Sequence, residues 1–396
     1  MGFRCARLTV PMDYNRPLST SNDPPIVDIA LVLLPGQNST QARTESKPPL
    51  LINPGGPGGS GVMVTLILGS SIQKIVGADQ PILGFDPRGV GFTTPRADCW
   101  TKPPDHDATS GLLRRLEWDN VNSAFGLFNS SNVAAKFLDA GHRAVNELCR
   151  SKDAQLGSSS ILGHATTVHV VQDMVSIVDA WDRWIENRGL LPNSLKGKLV
   201  YWGFSYGTYL GATFAKMFPD RVGRLVLDGV VDADEYTTFV FADSLTDTGK
   251  VLDQFFYYCV KAKTRCALYR AGDDPSGVKR RYNDIMERLE ASPVTFTHPE
   301  HFIPVVLRVE LFKMIAFSVL YSPIQGFPVL AVLLDFIHKG KYDVLGPLFP
   351  NAQIACSSST GPLLAAQLSD AQRAIMCSDK THSVSPLALK YFPMSY

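Results

Sequence analysis

The sequence predicts an α/β protein with a mostly parallel, doubly wound sheet and a helical insertion. Short β-rich runs alternate with helical segments up to Tyr236, which is the pattern of parallel strands joined by crossover helices. After Tyr236 the apolar residues recur at helical spacing and no strand pattern is visible. We therefore assign 1–236 to an α/β core, 237–345 to a helical cap and 346–396 to a C-terminal remnant.

The elements of the core are predicted from β-rich runs bounded by turn residues and from helical spacing of apolar residues. The predicted strands are Ala6–Val10, Ile26–Leu34, Leu50–Asn53, Pro81–Phe85, Lys198–Gly203 and Arg224–Asp228. The predicted core helices are 61–76, Ser131–Arg150, Thr166–Arg188 and Ser205–Phe218, and 100–130 reads as irregular. The later predicted helices are Ser244–Lys263, Val278–Ala291, Val305–Leu320, Val329–Lys339 and Leu363–Met376.

The charge balance of the sequence limits which classes of partner the protein can bind. The 396 residues carry 38 basic and 37 acidic side chains, a net charge of +1, so no strong field favours nucleic acid or an anionic membrane. The charge-free stretch Met314–Leu334 is interrupted by two prolines and predicts two buried helices, not a membrane span. We expect a small-molecule or short-peptide substrate and no nucleic-acid or membrane partner.

The seven cysteines form no C-x-x-C pair, and their spacing fits neither a closed disulfide set nor a zinc site. Cys259 and Cys266 can be bridged if a helix ends between them. Glycosylation triplets begin at Asn38 and Asn129, and with the cysteines they favour a secreted origin. No apolar run of signal-peptide length opens the sequence, which predicts a cytoplasmic protein if Met1 is the true start.

A nucleophile motif lies between a predicted strand and a predicted helix. Gly203-Phe-Ser-Tyr-Gly207 has the G-x-S-x-G form, with Ser205 on the tight strand-to-helix turn that such a motif requires. Gly203 and Gly207 give the turn room, and the small pair Gly211 and Ala212 would let the helix pack closely on the sheet. The Tyr206 backbone N–H and the helix N-terminus face the space where an oxyanion forms.

A glycine-rich loop, Asn53-Pro-Gly-Gly-Pro-Gly-Gly-Ser-Gly61, follows the third predicted strand. Acyl-transfer hydrolases of this architecture take a second oxyanion-hole N–H from that loop, and Gly56 is our choice for the donor. The loop lacks both a Gly-Lys-Ser/Thr ending and a G-x-G-x-x-G opening, so it does not predict a nucleotide site. Neither a cofactor nor a metal is expected.

The next loop, Gly84–Gly91, carries the neighbouring opposite charges of Asp86 and Arg88. We predict that these two residues have a structural role and fix this loop beside the site.

These motifs resemble the α/β-hydrolase serine peptidases related to prolyl aminopeptidase and tripeptidyl aminopeptidase. The resemblance extends over Cys5–Tyr14, both glycine loops, the Thr166–Trp181 helix, Tyr201–Asp232 and Leu320–Pro323. It implies an α/β-hydrolase fold, Ser205 as nucleophile and Tyr206 with the glycine-rich loop as oxyanion hole. It also implies a peptidase that cleaves short peptides with a free N-terminus.

The family pattern is not found at the C-terminal end. In that family a late strand carries an Asp and a Gly-His motif follows, whereas here the chain reads Ser378-Asp-Lys-Thr-His-Ser383 without such a strand. The last strands of the sheet are therefore predicted to be missing, which would expose a sheet edge. Asp379 with His382 is a weak alternative for acid and base, and Asp228 is another candidate acid.

The remaining histidines are poorer candidates for a base. His298 and His301 lie in a predicted exposed loop, His338 closes a predicted helix, and His142, His164 and His169 precede the nucleophile. Without a base, a serine hydroxyl is a weak nucleophile. Three alternatives to an aminopeptidase-like enzyme therefore stay open: a metabolite esterase or thioesterase, a catalytically impaired hydrolase-like binding protein, and a truncated gene product.

Overall fold

The computed structural model describes residues 2–15, 24–36, 47–102, 108–122, 131–189, 194–238, 241, 243–300, 304–342, 344–345 and 361–380. The chain divides into a core unit and a helical unit. The core unit comprises Met1–Phe125, Asn132–Phe241 and Cys356–Tyr396, and the helical unit comprises Gly126–Ser131 and Ala242–Ala355. The predicted glycosylation triplets, His301 and His382 lie outside the described residues.

A six-stranded sheet forms the centre of the core unit, in the order β1-β2-β4-β3-β5-β6. Its strands are β1 (Arg4–Pro11), β2 (Ile26–Leu34), β3 (Leu50–Asn53), β4 (Ile82–Phe85), β5 (Leu199–Phe204) and β6 (Val222–Asp228). β2 pairs antiparallel with β1 and β4, whereas β3, β4, β5 and β6 run parallel to one another. The mostly parallel sheet is confirmed, and within the described residues it ends at β6.

Helices cover the sheet, and the central strands β3 and β4 are buried along their whole length, as expected for parallel strands packed on both faces. The core helices are α1 (Gly61–Val76), α2 (Ala108–Asn122), α3 (Asn132–Leu156), α4 (Thr167–Asn187), α5 (Tyr206–Met217) and the short α6 (Ala233–Thr238). One apolar cluster joins the sheet to α4 and α5, and includes Leu51, Met174, Tyr201 and Phe214.

The irregular conformation predicted for 100–130 is wrong over Ala108–Asn122, where α2 forms. Its leucines are interrupted by the paired arginines Arg114 and Arg115, so the apolar periodicity is weak. An ion pair between Arg115 and the buried Asp370 ties the helix down, with 3.1 Å between Nη1 and Oδ1. A disulfide that the spacing did not predict joins Cys99 to Cys149 of α3, near this helix in the chain.

The helical unit has its own apolar core, and it is not purely helical. It contains α7 (Thr248–Ala262), α8 (Pro275–Ala291), β7 (Val294–Thr297), β8 (Pro304–Leu307), α9 (Val309–Val319) and α10 (Pro323–His338). The prediction of helices without strands is wrong, since β7 and β8 form an antiparallel hairpin. A four-residue strand is too short to distinguish from a helix by periodicity. His298, predicted to be exposed, is 2% exposed.

Two predictions for this unit are confirmed. The apolar stretch divides into α9 and α10 with a break at Leu320–Ser322, and no helix among the described residues is long and apolar enough to cross a bilayer. The predicted burial of these two helices is wrong on one face, since Met314 is 56% exposed and Ile324 is 85% exposed. α7 ends at Ala262, which allows Cys259 and Cys266 to form a disulfide.

The last described helix, α11 (Gly361–Asp379), belongs to the core unit by its contacts. Ala371 and Ile375 are buried in the same apolar cluster as Tyr206. The sequence assigned 346–396 to a segment of its own. Of that segment, the described residues 361–380 contact the core, and these contacts bring the end of α11 to the region around Tyr206.

Candidate active site

Ser205 lies on a strained turn between β5 and α5. Its backbone has φ 54° and ψ −125°, which L-residues rarely adopt outside such sites, and its side chain is exposed. A Cβ on Gly203 would lie 2.3 Å from the carbonyl oxygen of Gly207. A Cβ on Gly207 would lie 2.8 Å from the carbonyl oxygen of Asn53. The predicted need for small residues on both sides of Ser205 is confirmed.

Hydrogen bonds on both sides hold this turn. The Ser205 N–H donates to the carbonyl oxygen of Asp228 at 3.0 Å, and Thr208 donates to the Ser205 carbonyl from its N–H (2.8 Å) and its hydroxyl (2.7 Å). The Tyr201 hydroxyl donates to the Gly207 carbonyl at 2.8 Å. A strained conformation persists only where its surroundings determine it in several ways, and these bonds do so here.

The glycine-rich loop lies directly against the turn. A Cβ on Gly55 would be 2.9 Å from the Ser205 Cβ and 3.0 Å from the Tyr206 nitrogen. The Gly55 N–H donates to the Asn53 side chain at 2.9 Å and is therefore occupied. Gly56 is exposed, and neither its N–H nor that of Tyr206 has an acceptor among the described residues. Gly56 and Tyr206 therefore stay the predicted oxyanion donors.

Asp86 holds the end of this loop, and the structural role predicted for it is consistent with its contacts. Its fully buried carboxylate accepts hydrogen bonds from the Ser60 hydroxyl (2.6 Å), the Val62 N–H (3.0 Å) and the Phe92 N–H (2.7 Å). Burial raises the pKa of Asp86 in spite of these bonds. Ser60 also caps α1 by accepting from the Met63 N–H. The carboxylate thus connects the start of α1 to the loop after β4.

Arg88 is equally buried and does not pair with Asp86. Its guanidinium binds Asp173 of α4 through two bonds of 2.7 Å, and both side chains are 0% exposed. It also donates to the carbonyl oxygens of Pro11, Met12 and His164. Arg88 therefore connects the end of β1, the start of α4 and the loop after β4, which is consistent with the structural role predicted for it.

A buried network that the sequence did not reveal surrounds the Tyr206 side chain. The Tyr206 hydroxyl lies 2.5 Å from that of Thr167, which donates to Asp379 at 2.5 Å. The Asp379 carboxylate also accepts from the Thr167 N–H (2.8 Å) and the Tyr236 hydroxyl (2.9 Å), and burial raises its pKa. Residues 212 and 143 positions apart meet here, which sequence spacing alone does not indicate.

No described histidine serves Ser205 as a base, because the Ser205 hydroxyl has no hydrogen-bond partner among the described residues. His169 sits at the start of α4 and its Nδ1 lies 2.7 Å from the Thr166 hydroxyl. Burial first, then the nearby charge of Arg88, lowers the pKa of His169 to about 4.

The alternative acid, Asp228, is exposed at the end of β6, and its carboxylate has no partner in the described part of the chain. Asp379, the other candidate, is half-buried and its carboxylate is occupied by Thr167 and Tyr236. Within the described residues, no cluster of three or more His, Cys, Asp or Glu could hold a metal ion. The structure thus brings the predicted nucleophile close to the loop and the N–H group predicted to form the oxyanion hole.

The strand order, the strained serine between strand and helix, and the apposed glycine-rich loop define the class of α/β hydrolases. The family model described as alpha/beta hydrolase fold matches residues 48–257, which is more than half of the chain. This chain therefore belongs to that family.

Relatives with assigned names are similar over part of the chain. A serine protease, Hip1, from Mycobacterium tuberculosis is 32% identical over 231 residues, which is 58% of this chain and 36% of that protein. A tripeptidyl aminopeptidase from Streptomyces lividans is 30% identical over 239 residues, 58% of this chain and 36% of that protein. Carboxylesterase B from Mycobacterium tuberculosis is 31% identical over 164 residues, 40% of this chain and 27% of that protein. The chain thus spans about a third of the length of these relatives.

Proposed function

We propose that this protein is a serine hydrolase that cleaves amide or ester bonds through an acyl-Ser205 intermediate. The strained Ser205 turn carries the proposal, because its geometry has a cost that a purely structural turn would not need. The Ser205 oxygen attacks the substrate carbonyl, and the developing oxyanion accepts hydrogen bonds from the Gly56 and Tyr206 N–H groups. The hydroxyl proton passes to a general base, which the described residues do not include.

The proposed substrate is a short peptide with a free N-terminus. The relatives named as a serine protease and a tripeptidyl aminopeptidase support this choice, and the share of the chain that they match is larger than for the esterase. An ester or thioester of a small metabolite is the second candidate, supported by the carboxylesterase relative. Parallel assays with a tripeptide amide and an acyl ester reporter separate these two substrates.

A fluorophosphonate probe tests the nucleophile independently of the substrate. We expect the probe to label the folded protein at Ser205, and we expect Ser205→Ala to remove the label. Ser70→Ala, at an exposed position of α1, is the matched control and should keep it. Absence of label at Ser205 in folded protein would refute the hydrolase proposal. Labelling without turnover of either reporter would instead support a catalytically impaired hydrolase-like protein.

We further propose that the chain folds in an oxidising compartment, as a secreted protein does. Its two disulfides, Cys99–Cys149 and Cys259–Cys266, support this, because such bridges are rare in reducing compartments. Thiol alkylation of the protein purified from its native source, without reductant, provides the test. Modification of all four of these cysteines would contradict the proposal.

A further inference from the structure

An apolar cavity of about 370 Å³ lies within the helical unit, between α7 and α10. Phe255, Ala262, Phe327 and Ala331 line it, together with the Cys259–Cys266 disulfide, and every lining residue belongs to the helical unit. A cavity of this size with a mostly apolar lining is typical of a site for a small organic molecule. The aromatic rings of Phe255 and Phe327 are 5.5 Å apart, centroid to centroid, and form part of its wall.

One charged side chain, Arg265, lines this cavity. Arg265 is exposed and makes no hydrogen bond or ion pair with any residue that the structure describes. A guanidinium group can bind a carboxylate through two parallel hydrogen bonds, and Arg265 has both of its terminal nitrogens available for this. The free guanidinium is thus the group that would recognise the polar end of a ligand.

Arg265 carries the one charge among the described residues that line the cavity. Between Asp253 and Asp273 the chain carries Lys261, Lys263, Arg265 and Arg270 and no acidic residue. Of these, Arg270 is already paired with Asp335, at 2.8 Å. On the other side, α10 has no charged residue before Asp335. The charge that lines the cavity is therefore positive, which favours an anionic ligand over a cationic one.

The disulfide constrains the backbone next to Arg265. Arg265 precedes Cys266, and the bridge from Cys266 to Cys259 ties the short turn after α7 to the cavity wall. A recognition group whose backbone is already ordered loses less entropy when a ligand binds. The apolar lining, the single free guanidinium and the bridge thus form one preorganised site.

We propose that this cavity binds an apolar monocarboxylate, with its hydrocarbon part in the cavity and its carboxylate on Arg265. Burial of the hydrocarbon part supplies most of the affinity, and the guanidinium supplies selectivity for the acid. The ligand chemistry is shared by a fatty acid and by the C-terminus of an apolar peptide. The proposal rests on the helical unit alone and does not depend on Ser205 or on hydrolysis.

Isothermal titration calorimetry of the full chain tests this site with decanoate as the probe. We expect saturable binding of one decanoate per chain, and weaker binding of decanol and of decyltrimethylammonium. A parallel titration with acetyl-leucyl-phenylalanine, and with its C-terminal amide, distinguishes the two sources of the carboxylate. Saturable binding of either acid, with its uncharged analogue weaker, supports the proposal and identifies the source.

Two substitutions and one control locate the binding. Arg265→Gln should weaken decanoate binding about tenfold, the low end for a charge-assisted hydrogen bond because the side chain is exposed. Ala262→Phe should abolish binding by filling the cavity. Arg280→Gln removes the same charge from an exposed position of α8 and should change nothing. Circular dichroism and thermal unfolding establish that each variant is folded.

The results that overturn the proposal are equally specific. Equal affinity for decanoate and decanol would show that Arg265 does not recognise the acid. Unchanged binding in folded Ala262→Phe would place the ligand elsewhere. Absence of saturable binding of every carboxylate would remove the site altogether. Because Ser205→Ala leaves this cavity intact, a failed fluorophosphonate test and a failed titration are independent results.

Discussion

The buried pair of Arg88 and Asp173 predicts a large loss of stability when its negative charge is removed. Asp173→Asn preserves the shape of the side chain and one acceptor oxygen, but it leaves the guanidinium without a counter-charge. Both side chains are 0% exposed, so water cannot replace the lost interaction. Breaking one partner of such a pair costs about 3–5 kcal/mol, and the retained amide oxygen favours the lower end.

The loss can be measured by urea unfolding followed by tryptophan fluorescence. All five tryptophans lie between Trp100 and Trp202, so the signal reports on the core unit alone. The matched control is Asp179→Asn on the same helix. It breaks a partly exposed pair with Arg221, where the side chains are 43% and 30% exposed, and should cost about 0–1 kcal/mol.

A double substitution separates the charge from its hydrogen bonds. Replacing a buried ion pair with apolar residues is often neutral, but here the guanidinium also donates to three backbone carbonyl groups. Arg88→Met combined with Asp173→Leu should therefore stay about 3 kcal/mol less stable than the parent, at about 1 kcal/mol for each of the three unsatisfied carbonyl groups. If Asp173→Asn costs no more than the Asp179 control, or if the double variant equals the parent, the reasoning is refuted.

Three further predictions concern the core and the disulfides. The pKa of His169 is about 4 in the folded protein, which is below its value in the unfolded chain. The stability that neutral His169 contributes is therefore fully present above about pH 6.5 and is lost as the pH falls toward 4. His169→Gln should make the free energy of unfolding, measured by tryptophan fluorescence, decline less steeply over this range. Cys149→Ser removes the disulfide to Cys99, which joins residues 50 positions apart, and should lower the stability of the core unit by about 4 kcal/mol in the same assay. An unchanged stability would contradict this pairing. Cys266→Ser removes a disulfide between cysteines only seven residues apart and should lower the stability of the helical unit by about 2.5 kcal/mol. Unfolding monitored by circular dichroism measures this loss, and Cys5→Ser, which removes a free cysteine, is the control.

The parts of the fold that depend on local rules were predictable from the sequence. β2 and β3 have the predicted bounds, because each is an apolar run closed by turn residues. The Ser205 turn was predictable for the same reason, since glycines at both flanks and a strand-to-helix change are visible in the sequence. By contrast, α2 was missed because an ion pair with Asp370, some 250 residues later, supports a helix of weak apolar periodicity.

The contacts of the candidate site show the same division. The nucleophile and the glycine-rich loop carry their own signals, so Ser205 and its neighbours could be selected residue by residue. Thr167, Tyr236 and Asp379 have no motif in common, and they meet because α4, α6 and α11 converge beside Tyr206. The sequence alone does not indicate that Asp379 contributes to this network, because most aspartates are exposed to solvent. Its role becomes visible only when its hydrogen-bond partners are known.

The contacts that hold the Ser205 turn do not include a general base. The strain at Ser205 is balanced by the Asp228 carbonyl, by Thr208 and by the Tyr201 hydroxyl, all of which lie on β5, α5 and β6 or the residues that join them. The Tyr206 hydroxyl is held by the Thr167 hydroxyl, which in turn donates to Asp379. Neither set of contacts involves a histidine. Tyr206, predicted to be an oxyanion donor, is therefore held in place without a histidine. Because a serine hydroxyl without a base is a weak nucleophile, labelling of Ser205 by the fluorophosphonate would show that a base outside the described residues activates it.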